Sequence, residues 1–278
     1  MPDFRKSLQV LHAEWSSCTA CELGQRRHEV GGGFVFGEGS TRGVMFIGEG
    51  PGKNEEEHGR PFIGDSGRLL RRALHKLQLT NVYITNVVAC RSCAPAFTGE
   101  GQPIVRTDRS TGQVYQMIRD EPPSPACMAA CAPRLHEQIY LVDPVLIVSL
   151  GKEATQALTG KSQGILAARG STQEISIPGA WHRPVRTEKK QAWLRKVRGQ
   201  VVLPTEQNQV RYLLLPTLHP AFVLRTIEDK RPENPLQLFT QDMRRAAQLY
   251  DRYMLETHGV QSGERYLSDD DIRDMDYQ

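Results

Sequence analysis

Three groups of residues in this chain have the types and spacing to do chemistry. The first is six cysteines in close pairs: Cys18 with Cys21, Cys90 with Cys93, and Cys127 with Cys131. Pairs spaced this closely point to metal ligation, because a reducing compartment disfavours a disulfide framework. The second is a glycine-rich stretch, Gly48 to Gly67, reading GEGPGKNEEEHGRPFIGDSG. It carries the carboxylates Glu49 and Glu55, and it places Phe62 among glycines and a proline, where a core phenylalanine is not expected. Glycines let a backbone approach a ligand closely, and a helix start behind them turns free N–H groups toward an anion. The stretch reads as the floor of an active site. It lacks the Lys-Ser/Thr ending of a nucleotide P-loop, which argues against that use. The third group is Asn86 and His219, which stand near the ends of two β-rich runs.

The elements that must position these residues follow from periodicity. Val44 to Ile47 is a short apolar strand, followed by the glycine-rich loop and an amphipathic helix through about Leu77. VYITNVV, residues 82–88, is the second strand, and VLIVSL, residues 145–150, is a continuous apolar run that fits a central parallel strand. Tyr212 to Leu215 is the fourth, and the last long helix spans about Pro235 to Glu256. A first helix has Leu8, Leu11 and Trp15 on one face, and another runs from Ala126 to Leu141. Strands alternating with helices predict an α/β fold with a mainly parallel sheet. In such sheets ligands bind beyond the carboxyl ends of the strands. Gly48-Glu49, Asn86 and His219 stand at three of those ends, so one shared site is expected.

Two regions break the alternation. Residues 92–125 are rich in Gly, Pro, Thr and Arg, with a small exposed hairpin expected around Asp108 to Gly112. Residues 160–210 also read as irregular. Within them, His182 to Arg198 holds seven Lys or Arg against one Glu. From Glu264 on there are six acids and two arginines, and residues 258–278 are expected to be an acidic, solvated tail. Over 278 residues the net charge is only +3, so the distribution of charge matters more than its sum. No apolar run approaches the length of a membrane span. The first fifteen residues lack an apolar signal core, so a cytoplasmic protein is expected.

The motifs GEGPGKNEEEHGRPFIGDSG, ITNVVACR, VDPVLIVSLGKEA and PTLHPAFVLR, in this order and behind Cys18-x2-Cys21, resemble the family-four, iron–sulfur uracil-DNA glycosylases. The resemblance implies a single three-layer α/β/α domain, residues 1–257, with a four-stranded, mostly parallel sheet, and a DNA-repair enzyme that acts as a monomer. It would flip uracil out of DNA, cut its N-glycosidic bond and leave an abasic site. It also implies a [4Fe–4S] cluster held by Cys18, Cys21, Cys90 and Cys131, where a four-cysteine zinc site is the rival. Cys93 and Cys127 are the alternates. Phe62 would stack on the base, and Asn86 would read its edge, donating to O4 and accepting from N3–H. His219 would donate to the charge that builds at O2. Gly48 and Gly50 would give close backbone approach, and Glu49 or Glu55 would orient water or stabilise the sugar cation. Another branch of the superfamily has an aspartate where Gly50 stands. For DNA binding the candidates are Arg186, Lys189, Lys190, Arg195 and Lys196 in the basic stretch, and Arg225 with Phe222 or Val223 as a wedge.

Both irregular regions are longer than the family leads one to expect, and both adjoin the expected pocket. A glycosylase for a larger modified pyrimidine, such as a glucosylated hydroxymethylcytosine of phage DNA, is one rival. A non-catalytic iron–sulfur DNA-binding module is another. A covalent uracil-capturing variant would use a histidine in a loop after the second strand, and residues 92–125 contain none.

Overall fold

The computed structural model describes residues 4–178, 209–226 and 234–259. Its helices are α1 (Phe4–Trp15), α2 (Glu22–Val30), α3 (Lys53–His58), α4 (Asp65–Lys76), α5 (Pro125–Val142), α6 (Lys152–Thr159), α7 (Ile165–Ala168), α8 (Pro220–Arg225) and α9 (Pro235–His258). The strands are β1 (Glu38–Gly39), β2 (Val44–Gly48), β3 (Val82–Asn86), β4 (Cys93–Pro95), β5 (Val105–Thr107), β6 (Val114–Gln116), β7 (Ile118–Asp120), β8 (Leu146–Leu150), β9 (Gln173–Pro178) and β10 (Gln209–Thr217).

The central sheet has the order β1-β3-β2-β8-β10-β9. Its inner four strands are the expected ones and are parallel. The sheet is nevertheless six-stranded, not four-stranded, because β1 and β9 add antiparallel edges. β1 is two residues long and leaves no periodic signal. β9 lies in the region expected to be irregular. It alternates over only a few residues, with Ile175 and Ile177 buried and Glu174 and Ser176 exposed.

The inner strands are apolar throughout because both faces are covered. Every residue of β2 is buried. Val44 and Phe46 join the layer of α4 and α9, while Met45 and Ile47 join the layer of α5 and α6. Each fully buried side chain of this size contributes about 1.5–3 kcal/mol. α1 seals the edge, packing Leu11 and Trp15 on Phe36 and Leu141.

Register makes the site. Gly48 pairs with Asn86, Ile47 with Ser149, and Thr217 with Leu150. The four parallel strands therefore end level. From β2 the chain steps outward to β3, and β8 returns to β2's other side, so a topological switch point lies between β2 and β8. Crevices at such points take ligands.

The glycine-rich stretch is not one open loop. It contains α3, entered after Gly52 and closed by Gly59 at φ 65°. The insertion at residues 92–125 forms the expected hairpin, β5 with β6, plus an additional ladder, β4 with β7. The turn is tied by Asp108 Oδ1, which accepts from Ser110 N, Ser110 Oγ and Thr111 N at 2.6–3.0 Å. The basic stretch 183–198 and the tail from residue 260 lie outside the described residues, so Arg186, Lys189, Lys190, Arg195 and Lys196 receive no structural account. Among the described residues no helix is long and apolar enough to cross a membrane.

Candidate active site

The level strand ends open on a cavity of about 450 Å³. Glu49, Gly50, Glu55, Phe62, Asn86 and His219 line it, together with Phe222 and Arg225 from α8. Gly48 lies beneath them. A Cβ there would come within 2.4 Å of Asn86 Oδ1 and 2.5 Å of Phe62 Cζ, so a side chain would part the two.

Phe62 is a buried platform, 4% exposed, despite its glycine-rich surroundings. Its φ of 52° is left-handed, which costs a bulky residue energy unless its neighbours enforce it. Two contacts do so. Arg71 donates to the carbonyls of Phe62 at 2.9 Å and Pro61 at 3.0 Å. Gly67, in the first turn of α4, lies so close that a Cβ would fall 2.0 Å from the Phe62 carbonyl. The Phe62 ring centroid is 6.0 Å from that of His219.

Asn86 ends β3 and is 1% exposed. Its Oδ1 is buried and has no hydrogen-bond partner among the described residues. Native proteins rarely leave such an acceptor unsatisfied, so this one calls for a partner. Its backbone carbonyl is fixed by Arg134 of α5, which donates to Asn86 O and Val87 O at 2.7 Å each.

His219 caps the N-terminus of α8, and its Nδ1 accepts from Ala221 N at 3.1 Å. In the neutral ring this places the proton on Nε2. Burial, helped by Arg225, pushes its pKa down to about 4, so the ring is neutral at ordinary pH. Behind it Gly151, at φ 93°, lies 3.0 Å from His219 Cβ at the Cβ position it lacks.

The two carboxylates differ. Glu55 Oε1 accepts from Ile63 N at 2.9 Å and Gly64 N at 2.8 Å, which staples the loop that carries Phe62. Glu49 makes no such bond. Burial first, and then the like charge of Glu153, push its pKa up to about 7, while Arg225 opposes them. Glu153, from the first turn of α6, lines the same cavity and was not singled out from sequence. Nor were Asp120 and Glu121, which bring the insertion to the rim. Asp120 is bound by Arg91 at 2.6 Å, and Arg91 also reaches Glu56 at 3.6 Å. No short-range pattern could have flagged these, since the insertion's path sets them. Val223 is fully buried, which removes it as a wedge; Phe222 stands half-buried at the rim.

Cys18, Cys21, Cys90 and Cys131 line a second, small cavity with Trp15, Leu23, Phe34 and Val88. Two guanidinium groups serve it. Arg134 Nε donates to Cys131 Sγ at 3.4 Å, and the charge of Arg27 opposes the rise that burial gives the Cys90 thiol. Buried arginines need anions, and thiolates around a bound metal group would supply them, so the donor set fits one. Cys127 is not in this cavity; its Sγ donates to Glu22 Oε1 at 3.2 Å. Cys93 is in β4, opposite Asp120. Among the described residues, no three His, Cys, Asp or Glu converge as a single-ion site.

The family model of the uracil DNA glycosylase superfamily matches residues 34–244, most of the chain and both halves of the pocket. This chain belongs to that superfamily. Similar proteins include a type-4 uracil-DNA glycosylase of Thermotoga maritima, 35% identical over 59% of this chain and 72% of the relative. A second, from Sulfurisphaera tokodaii, is 33% identical over 56% of this chain and 59% of the relative. A third, from Pyrobaculum aerophilum, is 37% identical over 54% of this chain and 64% of the relative. The chain therefore spans between about three-fifths and three-quarters of these superfamily relatives.

Proposed function

We propose that this protein flips a uracil out of DNA and hydrolyses its N-glycosidic bond, leaving an abasic site. The observation that carries the reading is the unpartnered, buried Asn86 Oδ1 in a cavity that also holds a neutral histidine donor. Uracil presents N3–H and O4 on one edge and O2 beside them. Asn86 would accept from N3–H and donate to O4. Cytosine, lacking N3–H, would leave Oδ1 unsatisfied, at a cost of about 1–3 kcal/mol. Phe62 would stack on the base from its fixed left-handed position.

As the bond breaks, charge builds on the leaving pyrimidine, largely at O2. The Nε2–H of His219 is available for it because Nδ1 is occupied by Ala221 N. A donor that strengthens as charge develops lowers the barrier rather than tightening the ground state. Glu49 is the better water-orienting group, since the Glu55 oxygen that accepts from the loop amides is committed there. A carboxyl that titrates near 7 is matched to base work at neutral pH.

Cys18, Cys21, Cys90 and Cys131 would hold the [4Fe–4S] cluster expected from the family resemblance, and the cluster would cross-link α2, β3's exit and α5. DNA is the proposed partner, and we take the protein to act as a monomer in the cytoplasm.

The test is single-turnover excision of uracil from an oligonucleotide by His219→Ala and Asn86→Ala, with unfolding curves to confirm the fold. Loss of one such contact should cost roughly 10²–10³-fold in rate. Parental rates in both variants would remove the site assignment. One observation favours a second substrate. Asp120, Glu121, Pro122 and Pro123 extend the cavity beyond what a pyrimidine fills. Oligonucleotides carrying hydroxymethylcytosine and its glucosylated form separate the two, because cleavage of a bulky base alone would select the larger substrate.

A further inference from the structure

The insertion is more than a rim. Residues 97–118 hold five of the ten exposed large apolar side chains among the described residues: Phe97, Val105, Val114, Tyr115 and Ile118. Half of them fall in this one arm, and the hairpin register puts Tyr115 on one face and Val105 with Val114 on the other. The arm is held by backbone rather than by a core of its own. Ala96 N donates to Met117 O at 2.7 Å, Ile104 N to Ala96 O at 2.9 Å, and Met117 N to Ile104 O at 2.7 Å.

Its charges point to the partner. Arg106, Arg109 and Arg119 lie exposed on the arm and make no ion pair among the described residues. Of the arm's three acids, Asp108 is engaged in its turn and Asp120 with Arg91, while Glu100 is exposed. Arg106 pairs across the hairpin with Tyr115, so the two side chains share one face. Exposed aromatics interleaved with unpaired arginines suit a flexible polyanion whose bases can stack. Duplex DNA hides its base faces, so it would use the arginines and waste the rings.

We infer that the arm of residues 93–120 binds a single-stranded stretch of the substrate DNA beside the extruded base, with Arg106, Arg109 and Arg119 on phosphates and Tyr115 and Phe97 stacking on unpaired bases. The inference rests on the glycosylase reading for its substrate and on continuity for its position. Asp120 ends the arm and lines the active-site cavity. Tyr115 is five residues from it, at most about 18 Å along the chain.

The test is fluorescence anisotropy with a uracil-free oligonucleotide, single-stranded and as its duplex, at several salt concentrations. The parent should bind the single strand more tightly. Tyr115→Ala should weaken single-strand binding about ten-fold, and Tyr115→Trp should restore it. R106A/R109A/R119A should lower the salt slope by about 2, at roughly 0.7 per phosphate, and the triple lysine variant should recover it. Rescue by these variants separates lost contacts from lost folding. Parental affinity and slope in the alanine variants would overturn the inference and assign the surface to another partner, as would equal binding of strand and duplex by the parent. The measurement needs no uracil. A parent that excises no uracil, yet shows arm-dependent binding, would sink the uracil reading and leave this one standing. A parent that excises uracil while the variants bind normally does the reverse.

Discussion

Replacing Glu153 by glutamine removes a like charge that bears on Glu49, and the excision rate should report it. Glu49 titrates near 7, with burial the larger cause and Glu153 the second. If Glu49 orients the attacking water, only its ionised form works, and the rate follows that fraction. Between pH 8 and pH 6 the fraction falls from about 0.9 to about 0.1, so the parent should lose about ten-fold in single-turnover excision. His219 stays neutral across this range, since burial holds its pKa near 4, and contributes no second limb. In Glu153→Gln the midpoint should move down, though not to the ordinary carboxyl value, because burial remains. The rate at pH 6 should then rise by several-fold, bounded by about ten, while the plateau near pH 8 changes little. Arg225→Gln should shift the midpoint the other way, because its charge favours the ionised carboxylate. Glu49→Gln should abolish the limb altogether. The assay is single-turnover excision at saturating enzyme across that pH range. A Glu153→Gln profile that superimposes on the parent's, or a limb that survives in Glu49→Gln, would refute the assignment of Glu49 as the base.

Three further outcomes are expected. Serine at Cys18, Cys21, Cys90 or Cys131 should each lower the iron content and visible absorbance of anaerobically purified protein, while Cys93→Ser and Cys127→Ser should keep both; a colourless parent carrying one zinc would replace the cluster. Gly48→Ala puts a methyl 2.4 Å from Asn86 Oδ1 and 2.5 Å from Phe62 Cζ, so excision should fall by about 10²-fold from misplacement alone, with parental rates in a kinetic assay excluding the packing argument. Stability should decline as pH falls from 6.5 toward 4, because the unfolded chain protonates His136 and His219 where the folded one, with both near 4, does not. Glu49 acts in the opposite sense. It holds its proton in the folded state up to about 7, so its contribution is present at low pH and lost as pH rises. Glu49→Gln should therefore steepen the acid decline seen in thermal melts.

The inner sheet was legible because its strands are apolar on both faces and long enough to declare themselves, as VLIVSL does. The level ends of those strands were legible too, since Gly48, Asn86 and His219 each stand where an apolar run gives way to polar residues. β1 and β9 escaped because an edge strand of two residues, or one alternating over a few, carries no more signal than a loop. α3 escaped because GKNEEEH has no apolar face; it is fixed instead by its flanking glycines and by Glu55 reaching back to Ile63 N and Gly64 N. The difference between Glu49 and Glu55 was illegible for the same reason. Both are loop carboxylates in sequence, and only the backbone path decides which one meets N–H groups and which one is left desolvated. Phe62 looked misplaced for a core residue and is buried nonetheless, because Arg71 and Gly67 hold a conformation that glycine would ordinarily supply.

Arg134 joins the two centres and lets their coupling be measured. It is fully buried, donates to Gln138 Oε1 at 2.8 Å and to the Asn86 and Val87 carbonyls, and touches Cys131 Sγ. No carboxylate among the described residues pairs with it, so its charge is best met by a thiolate at Cys131. Three residues separate Asn86, the proposed base reader, from Cys90, so one short segment leaving β3 would carry both functions. Arg134→Met fills similar space but strands two backbone carbonyls that cannot reach water. At about 1–3 kcal/mol for each unsatisfied group, the denaturant midpoint should report a loss of about 2–6 kcal/mol. If the four cysteines hold the proposed cluster, a chelator probes the same link from the other side. With the sulfurs no longer held together, Arg134 loses its counter-charge, and the amides of residues 86–90 should exchange hydrogen faster. Excision should fall with them, although no cysteine lines the active-site cavity. A chelated protein that loses its iron yet keeps both amide protection at 86–90 and its excision rate would show that the two centres are mechanically independent.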